Sequence, residues 1–263
     1  MNNDNLSVLT LVSVGEHPTS GRPRRAEQDA RAIELGLKLV GADLNTLHAG
    51  QLSSDPKQQT ALRSYLGMGL SGMELLEVAK NSDAVLVIAA HLKTTAPDII
   101  LTGIRAETGE SSGMLPYLLA EHLGMAIVTS IADILSIDKV KQQATILQAL
   151  PRGQRREVKV SLPFIASVDM AAALPRQSAF GPAMRGQFTV TPGAVFIDQQ
   201  SLAWQTVKAK KRPKRLKIVK ATSAADRFKA ATAKVSSSGG KVVHGSEESA
   251  QAILDLLLVE GLL

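Results

Sequence analysis

The residues best suited to chemistry lie in one short stretch, Glu107–Gly113, which reads ETGESSG. It leaves an apolar run and enters a helix-like one, so its backbone N–H groups and the N-terminus of that helix would form an anion site. Ser111 and Ser112 add hydroxyl donors, while Gly109 and Gly113 permit close approach of the backbone to a phosphate. The plainer alternative is that one serine only caps the helix. Two serines and two glycines together favour phosphate binding. Glu107 and Glu110 are close enough to suggest an acid–base pair, but a solvated role, or pairing with a nearby cation such as Arg105, is the expected one.

Little else in the chain offers catalysis. The histidines, His17, His48, His91, His122 and His244, are scattered, and none forms a metal-type pair at helical spacing. No Walker loop occurs. Cysteine is absent, which removes disulfides, thiolate metal sites, iron–sulfur clusters and cysteine nucleophiles together. The expectation is a binding protein with no catalytic constellation or metal site of its own.

The elements that must position the loop alternate. Residues 6–14, LSVLTLVSV, read as a buried parallel strand, followed by a turn-rich basic loop, GEHPTSGRPRR. Ala26, Ala30, Ile33, Leu37 and Val40 recur at helical spacing. Asp43–Ala49 reads as a second strand, and Lys57–Leu66 as a helix ended by Gly67 and Gly69. Ala84–Ala90 (AVLVIAA) and Asp98–Thr102 (DIILT) read as two further buried strands, and Pro116–Leu123 as a helix stopped by Gly124. Alternating strands and helices predict an α/β fold, a parallel-sheet, Rossmann-like nucleotide-binding domain. In such sheets ligands gather at the carboxyl ends of the strands, which directs attention to the loops beginning at Gly15, Gly50 and Gly103.

Beyond about residue 186 the rhythm changes. The chain is read as a domain over residues 1–185 and an extended C-terminal arm over 186–263, with a joint at Ser236–Gly240 (SSSGG) and a final amphipathic helix over Glu247–Leu262. The net charge of +6 comes largely from Lys208–Lys220, where eight of thirteen residues are basic. Without a nucleic-acid-binding motif, that run reads as a solvated face. Aromatic residues are only 3%, too few for single-strand stacking platforms. The N-terminus carries no signal-peptide pattern and no window reaches membrane-spanning length, so a cytoplasmic protein is expected.

Four stretches in order resemble the beta (small) subunit of electron transfer flavoproteins, the family that includes FixA-type proteins. Leu62–Met73 (LRSYLGMGLSGM) resembles its helix and glycine turn, and Asp98–Gly124 resembles its signature of strand, polar glycine-rich loop and Pro-x-Leu-Leu-Ala-Glu helix. Arg152–Val168 resembles its next hairpin, and Arg176–Arg185 (RQSAFGPAMR) occupies the place of its partner-recognition loop. The chain departs from the family in carrying Arg24 and Arg25 for an Asn-Pro pair and Gly109-Glu110-Ser111 for an aspartate-rich segment. It also has no aromatic residue between Leu6 and Arg63.

The resemblance implies an adenine nucleotide alpha hydrolase-like fold and an electron carrier subunit rather than an enzyme. FAD would be held mainly by an alpha subunit, in a heterodimer reduced by a flavin dehydrogenase and oxidised by a quinone-linked acceptor. AMP, or a second FAD, would lie in the beta site against Ser13, Gly15, Ala49, Gly50, Glu110, Ser111, Ser112, Gly113 and Met114. The dehydrogenase would dock on Phe180, Gly181, Pro182 and Met184, with Phe180 as the apolar anchor on a tight turn, and the arm would contact the alpha subunit. A stand-alone adenine-nucleotide-binding regulator of universal-stress type is the alternative, and an ATP-using hydrolase or ligase the third reading.

Overall fold

The computed structural model describes residues 6–51, 55–205, 207–208, 223–232 and 242–259. Its strands are β1 (Val8–Val12), β2 (Val14–Glu16), β3 (Pro23–Arg25), β4 (Asn45–Gly50), β5 (Gly72–Glu77), β6 (Ile99–Gly103), β7 (Ala126–Asp138), β8 (Gln143–Ala149), β9 (Arg155–Ser161), β10 (Phe164–Val168) and β11 (Gln187–Pro192). Its α-helices are α1 (Glu27–Val40), α2 (Pro56–Leu66), α3 (Ala84–Thr95), α4 (Leu115–Leu123), α5 (Phe180–Arg185), α6 (Gln199–Leu202), α7 (Ala224–Thr232) and α8 (Ser246–Val259).

Nine strands form one sheet in the order β11-β5-β4-β1-β6-β10-β7-β8-β9. From β11 to β7 every neighbouring pair is parallel, and β8 and β9 extend that sheet antiparallel. β1 is wholly buried because both its faces are covered. Successive side chains point to opposite sides, so Val8 and Val12 join the cluster containing Ile33 of α1 and Tyr65 and Leu66 of α2. Leu9 and Leu11 join the cluster containing Val87 and Leu92 of α3 and Leu119 of α4. The α/β, Rossmann-like expectation holds.

Several elements differ from the expected ones. Ala84–Ala90 is not a strand but the first half of α3. A short apolar run cannot be assigned by periodicity alone, and here the Asp83 carboxylate decides it by accepting the Val85 N–H at 2.8 Å as an N-cap. The stretch after β1 is not a plain loop, since β2 and β3 pair antiparallel, Val14 opposite Arg25. Arg152–Val168 is not a hairpin: β9 pairs with β8 at the sheet edge, while β10 lies between β6 and β7.

The rhythm of the sheet also continues past residue 186. β11 pairs in parallel with β5, Gln187 to Gly72 through Pro192 to Glu77, and the first compact unit runs to Gln205. The second unit, from Thr206 onward, contains α7 and α8. The basic run beyond Lys208 and the Ser236–Gly240 joint lie outside the described residues.

Candidate functional site

The sheet changes direction at β1: the chain goes from β1 through α1 to β4 on one side, and β6 pairs on the other. That is a topological switch point, where the strand ends part and leave a crevice. A cleft of about 430 Å³ opens there. Its floor is made by the ends of β1 and β6, its apolar wall by Leu11, Leu47, Val85 and Ile88, and its rim by residues 104–106 and 108–114 leading into α4. Of the residues assigned from sequence, Ser13, Ala49, Glu110, Ser111, Ser112, Gly113 and Met114 all line this cleft. Gly15 and Gly50 instead line an adjoining cleft of about 420 Å³, together with Ser13, His48 and Ala49.

The rim loop is held by side chains on α1. Gln28 Oε1 accepts the N–H groups of Ile104 at 3.0 Å and Arg105 at 3.2 Å. Thr108 donates its hydroxyl to Val14 O at 2.9 Å. Ser111 donates its hydroxyl to Ala106 O, closing the loop on itself, and Ser112 Oγ accepts the Met114 N–H at 3.3 Å. Neither serine caps α4, whose N-cap Met114 has no side-chain bond. Gly113 needs its glycine: φ is +75°, and a Cβ would lie 3.1 Å from Ile104 O. α4 begins at Leu115 with proline in its first turn, beside the loop, so the open N–H end of the helix borders the cleft.

Glu107 has a different role from the expected one. It pairs not with Arg105 but with Arg24 at 3.1 Å. It also accepts the backbone N–H of Glu16 and that of Glu27, each at 3.0 Å, and so ties the rim loop to the β2–β3 hairpin and to the start of α1. Gly15 sits beneath this carboxylate, where a Cβ would come within 2.5 Å of Glu107 Oε2. Gly15 is thus a packing requirement of the hairpin.

Two buried groups beside the floor went unnoticed in the sequence. Asp29 accepts both the Ser13 N–H, at 2.8 Å, and the Ser13 hydroxyl, at 2.6 Å. Burial pushes its carboxyl up to about 6, opposed by those hydrogen bonds. Tyr65 donates to Ser13 O at 2.9 Å and accepts the Ala26 N–H at 2.8 Å, and burial drives its hydroxyl well above the usual range. Asp29 had a signal: it falls four residues before Ile33 and three after Ala26, an acid on the apolar stripe of α1. His48 Nδ1 lies 2.9 Å from Val12 O, and burial lowers its pKa.

Elsewhere, residues 176–185 rest on α1 and α2. Arg176 forks onto Glu34, Arg63 donates to Ala183 O at 3.1 Å and Gly186 O at 3.2 Å, and the Ala179 N–H reaches Gly67 O at 2.9 Å. Gly181 and Pro182 form the first turn of α5 rather than a tight turn. Phe180 is 81% exposed and Met184 57%, so Phe180 does not belong to the chain's own core. Among the described residues no cluster of three or more His, Cys, Asp or Glu side chains could hold a metal, and no helix is long and apolar enough to cross a membrane.

A family model described as the electron transfer flavoprotein domain matches residues 21–192. A curated relative named electron transfer flavoprotein subunit beta, from Chromohalobacter salexigens, is 50% identical over 260 residues, covering 98% of this chain and 96% of the relative. The chain belongs to the electron transfer flavoprotein beta-subunit family. Its field of action is electron transport, as part of a flavoprotein. The matched electron transfer flavoprotein domain opens inside the β2–β3 hairpin and closes on the last residue of β11, so it takes in α1, the rim loop and α4.

Proposed function

We propose that this chain is the beta subunit of a cytoplasmic electron transfer flavoprotein heterodimer and that it holds AMP in the cleft at the β1/β6 switch point. The carrying observation is the cleft itself. Its volume of about 430 Å³ falls in the range of small-ligand pockets, roughly 300–1,000 Å³. One side is apolar, as a base requires, and the other ends on the glycine-rich loop and the N-terminus of α4, as a phosphate requires. The phosphate would rest on Glu110, Ser111, Ser112, Gly113 and Met114, with the backbone N–H groups of the first four as donors. Ser13 and Ala49 would border the adenosine, with Gly15 and Gly50 shaping the adjoining cleft.

FAD, held mainly by the alpha subunit, supplies the redox chemistry. In this reading the heterodimer accepts electrons from a flavin dehydrogenase and delivers them to a quinone-linked oxidoreductase. The beta chain contributes shape and electrostatics. Phe180 and Met184 on α5, next to Gly181 and Pro182, would form the dehydrogenase contact, as an exposed aromatic suits a partner's pocket. Residues 186–263 would contact the alpha subunit; within them Ile253, Leu254 and Leu258 of α8 are exposed, a surface that calls for cover. Co-expression with a flavin-binding alpha subunit, followed by nucleotide extraction, tests the reading. FAD and AMP recovered together support it, and a lone chain without either nucleotide, or one that turns over ATP, refutes it.

A further inference from the structure

At a switch point the free N–H groups at the strand ends normally receive the anionic part of a ligand. Here a protein carboxylate already holds one of them. Asp29 Oδ2 accepts the Ser13 N–H at 2.8 Å and the Ser13 hydroxyl at 2.6 Å at the end of β1. The carboxylate also lies against Gly103 at the end of β6. The fit is tight: a Cβ on Gly103 would stand 2.5 Å from Asp29 Oδ1. Asp29 is 5% exposed, yet it lines the cleft. A carboxylate offers about four lone-pair directions, and the two Ser13 donors use about two of them. Among the described residues no cation pairs with it. Burial raises its pKa to about 6, which still leaves it ionised at neutral pH.

The cleft is therefore polarised. Its rim, at Ser111–Met114 and the start of α4, attracts an anion; its floor, at Asp29, repels one and has acceptor capacity to spare for an uncharged donor. The apolar wall of Leu11, Leu47, Val85 and Ile88 takes the base, which leaves the sugar as the donor-bearing part facing the floor. We propose that Asp29 is a specificity-determining residue that accepts a hydrogen bond from a free ribose hydroxyl and excludes nucleotides phosphorylated on that side of the sugar. The inference rests on the nucleotide reading above and deepens it: the ligand must be a nucleoside phosphate with its 2′ and 3′ hydroxyls unsubstituted.

The test uses the heterodimer, freed of nucleotide and titrated calorimetrically with AMP, its 2′-deoxy and 3′-deoxy analogues, and adenosine 2′,5′- and 3′,5′-bisphosphate. The wild type is expected to bind AMP at least about tenfold more tightly than one of the deoxy analogues, since a buried acceptor is left unpaired, and at least about a hundredfold more tightly than the corresponding bisphosphate. In Asp29→Asn the discrimination against that bisphosphate should fall to less than about tenfold, because the repelling charge is gone. AMP binding by the wild type with no preference over either deoxy analogue or either bisphosphate overturns the role of Asp29 while leaving the nucleotide site standing. That comparison needs no variant to fold. An Asp29→Asn protein that binds AMP but keeps the wild-type discrimination overturns it equally, and a wild-type heterodimer that binds no AMP at all overturns both readings.

Discussion

Replacing Tyr65 by Phe should be among the most damaging one-atom changes in this chain. The Tyr65 ring is fully buried, and its hydroxyl joins three elements: it accepts the Ala26 N–H, which opens α1, and donates to Ser13 O, where β1 ends at the cleft. Phenylalanine fills the same space and leaves one donor and one acceptor unsatisfied beneath the cleft floor. Each stranded group costs about 1–3 kcal/mol, and strain relief keeps such pairs from adding fully, which gives about 2–4 kcal/mol for the two. For a domain of this size that is a fall in Tm of roughly 5–15 °C. Because burial holds the hydroxyl pKa well above its usual value, the tyrosine stays protonated and the loss should be the same at pH 6 and pH 9. The assay is thermal unfolding of the heterodimer, with Tyr117→Phe as control, since Tyr117 is 47% exposed and should change stability by less than about 0.5 kcal/mol. A loss below about 1 kcal/mol for Tyr65→Phe, or equal losses for both variants, would rule out the bridging role of the Tyr65 hydroxyl.

Further consequences follow from the same geometry. Glu107→Ala removes the acceptor shared by Glu16 N–H, Glu27 N–H and Arg24, and should cost about 1–3 kcal/mol in unfolding free energy, together with nucleotide retention; unchanged stability contradicts the clamp. Gly103→Ala places a Cβ against the Asp29 carboxylate, so recovered nucleotide per heterodimer should fall well below the wild-type ratio, and a full complement would show that the floor yields. Asp29 has a pKa of about 6 when folded against 3.8 as its ordinary value, so between those two pH values the folded chain keeps a proton that the unfolded chain has lost. Its contribution to stability therefore falls by about 3 kcal/mol as pH rises from 4 to 6 and stays low above that. Relative to Asp29→Asn, the wild type should lose that much between pH 4 and pH 7, and a constant difference by denaturant titration contradicts the shift. Phe180→Ala should leave Tm unchanged, because the side chain is exposed, while weakening dehydrogenase docking by about 2 kcal/mol, roughly thirtyfold in the second-order reduction rate. An unaltered rate removes α5 from the contact.

How far the sequence could be read depended on where the deciding interaction lay. β1 and β6 were legible because buried parallel strands are continuous apolar runs, α1 because its apolar residues recur at helical spacing, and α2 and α4 because they stop at Gly67 and Gly124. The rim loop was legible because glycines and hydroxyls cluster between a strand and a helix. α3 was misread because AVLVIAA carries strand-like residues and the cap that makes it a helix is a single aspartate before it. β11 was missed because it is a half-exposed edge strand whose register comes from β5, far back in the chain. The partners of Glu107 and Asp29 were illegible for a similar reason. Arg24 and Ser13 stand many residues away, and only the packing of α1 across β1 and β6 brings them to the loop and the floor.

A beta subunit whose own cleft carries an adenine mononucleotide, beside a flavin-bearing partner, should yield two different nucleotides on denaturation. The most direct measurement is denaturing extraction of the co-purified complex, with FAD and AMP quantified separately against protein. The two are expected in equimolar amounts, with AMP lost and FAD retained when Ser112 and Gly113 are replaced by bulky acidic residues. A complex containing FAD but no adenine mononucleotide, or a chain that purifies as a stable monomer without a flavoprotein partner, would contradict it.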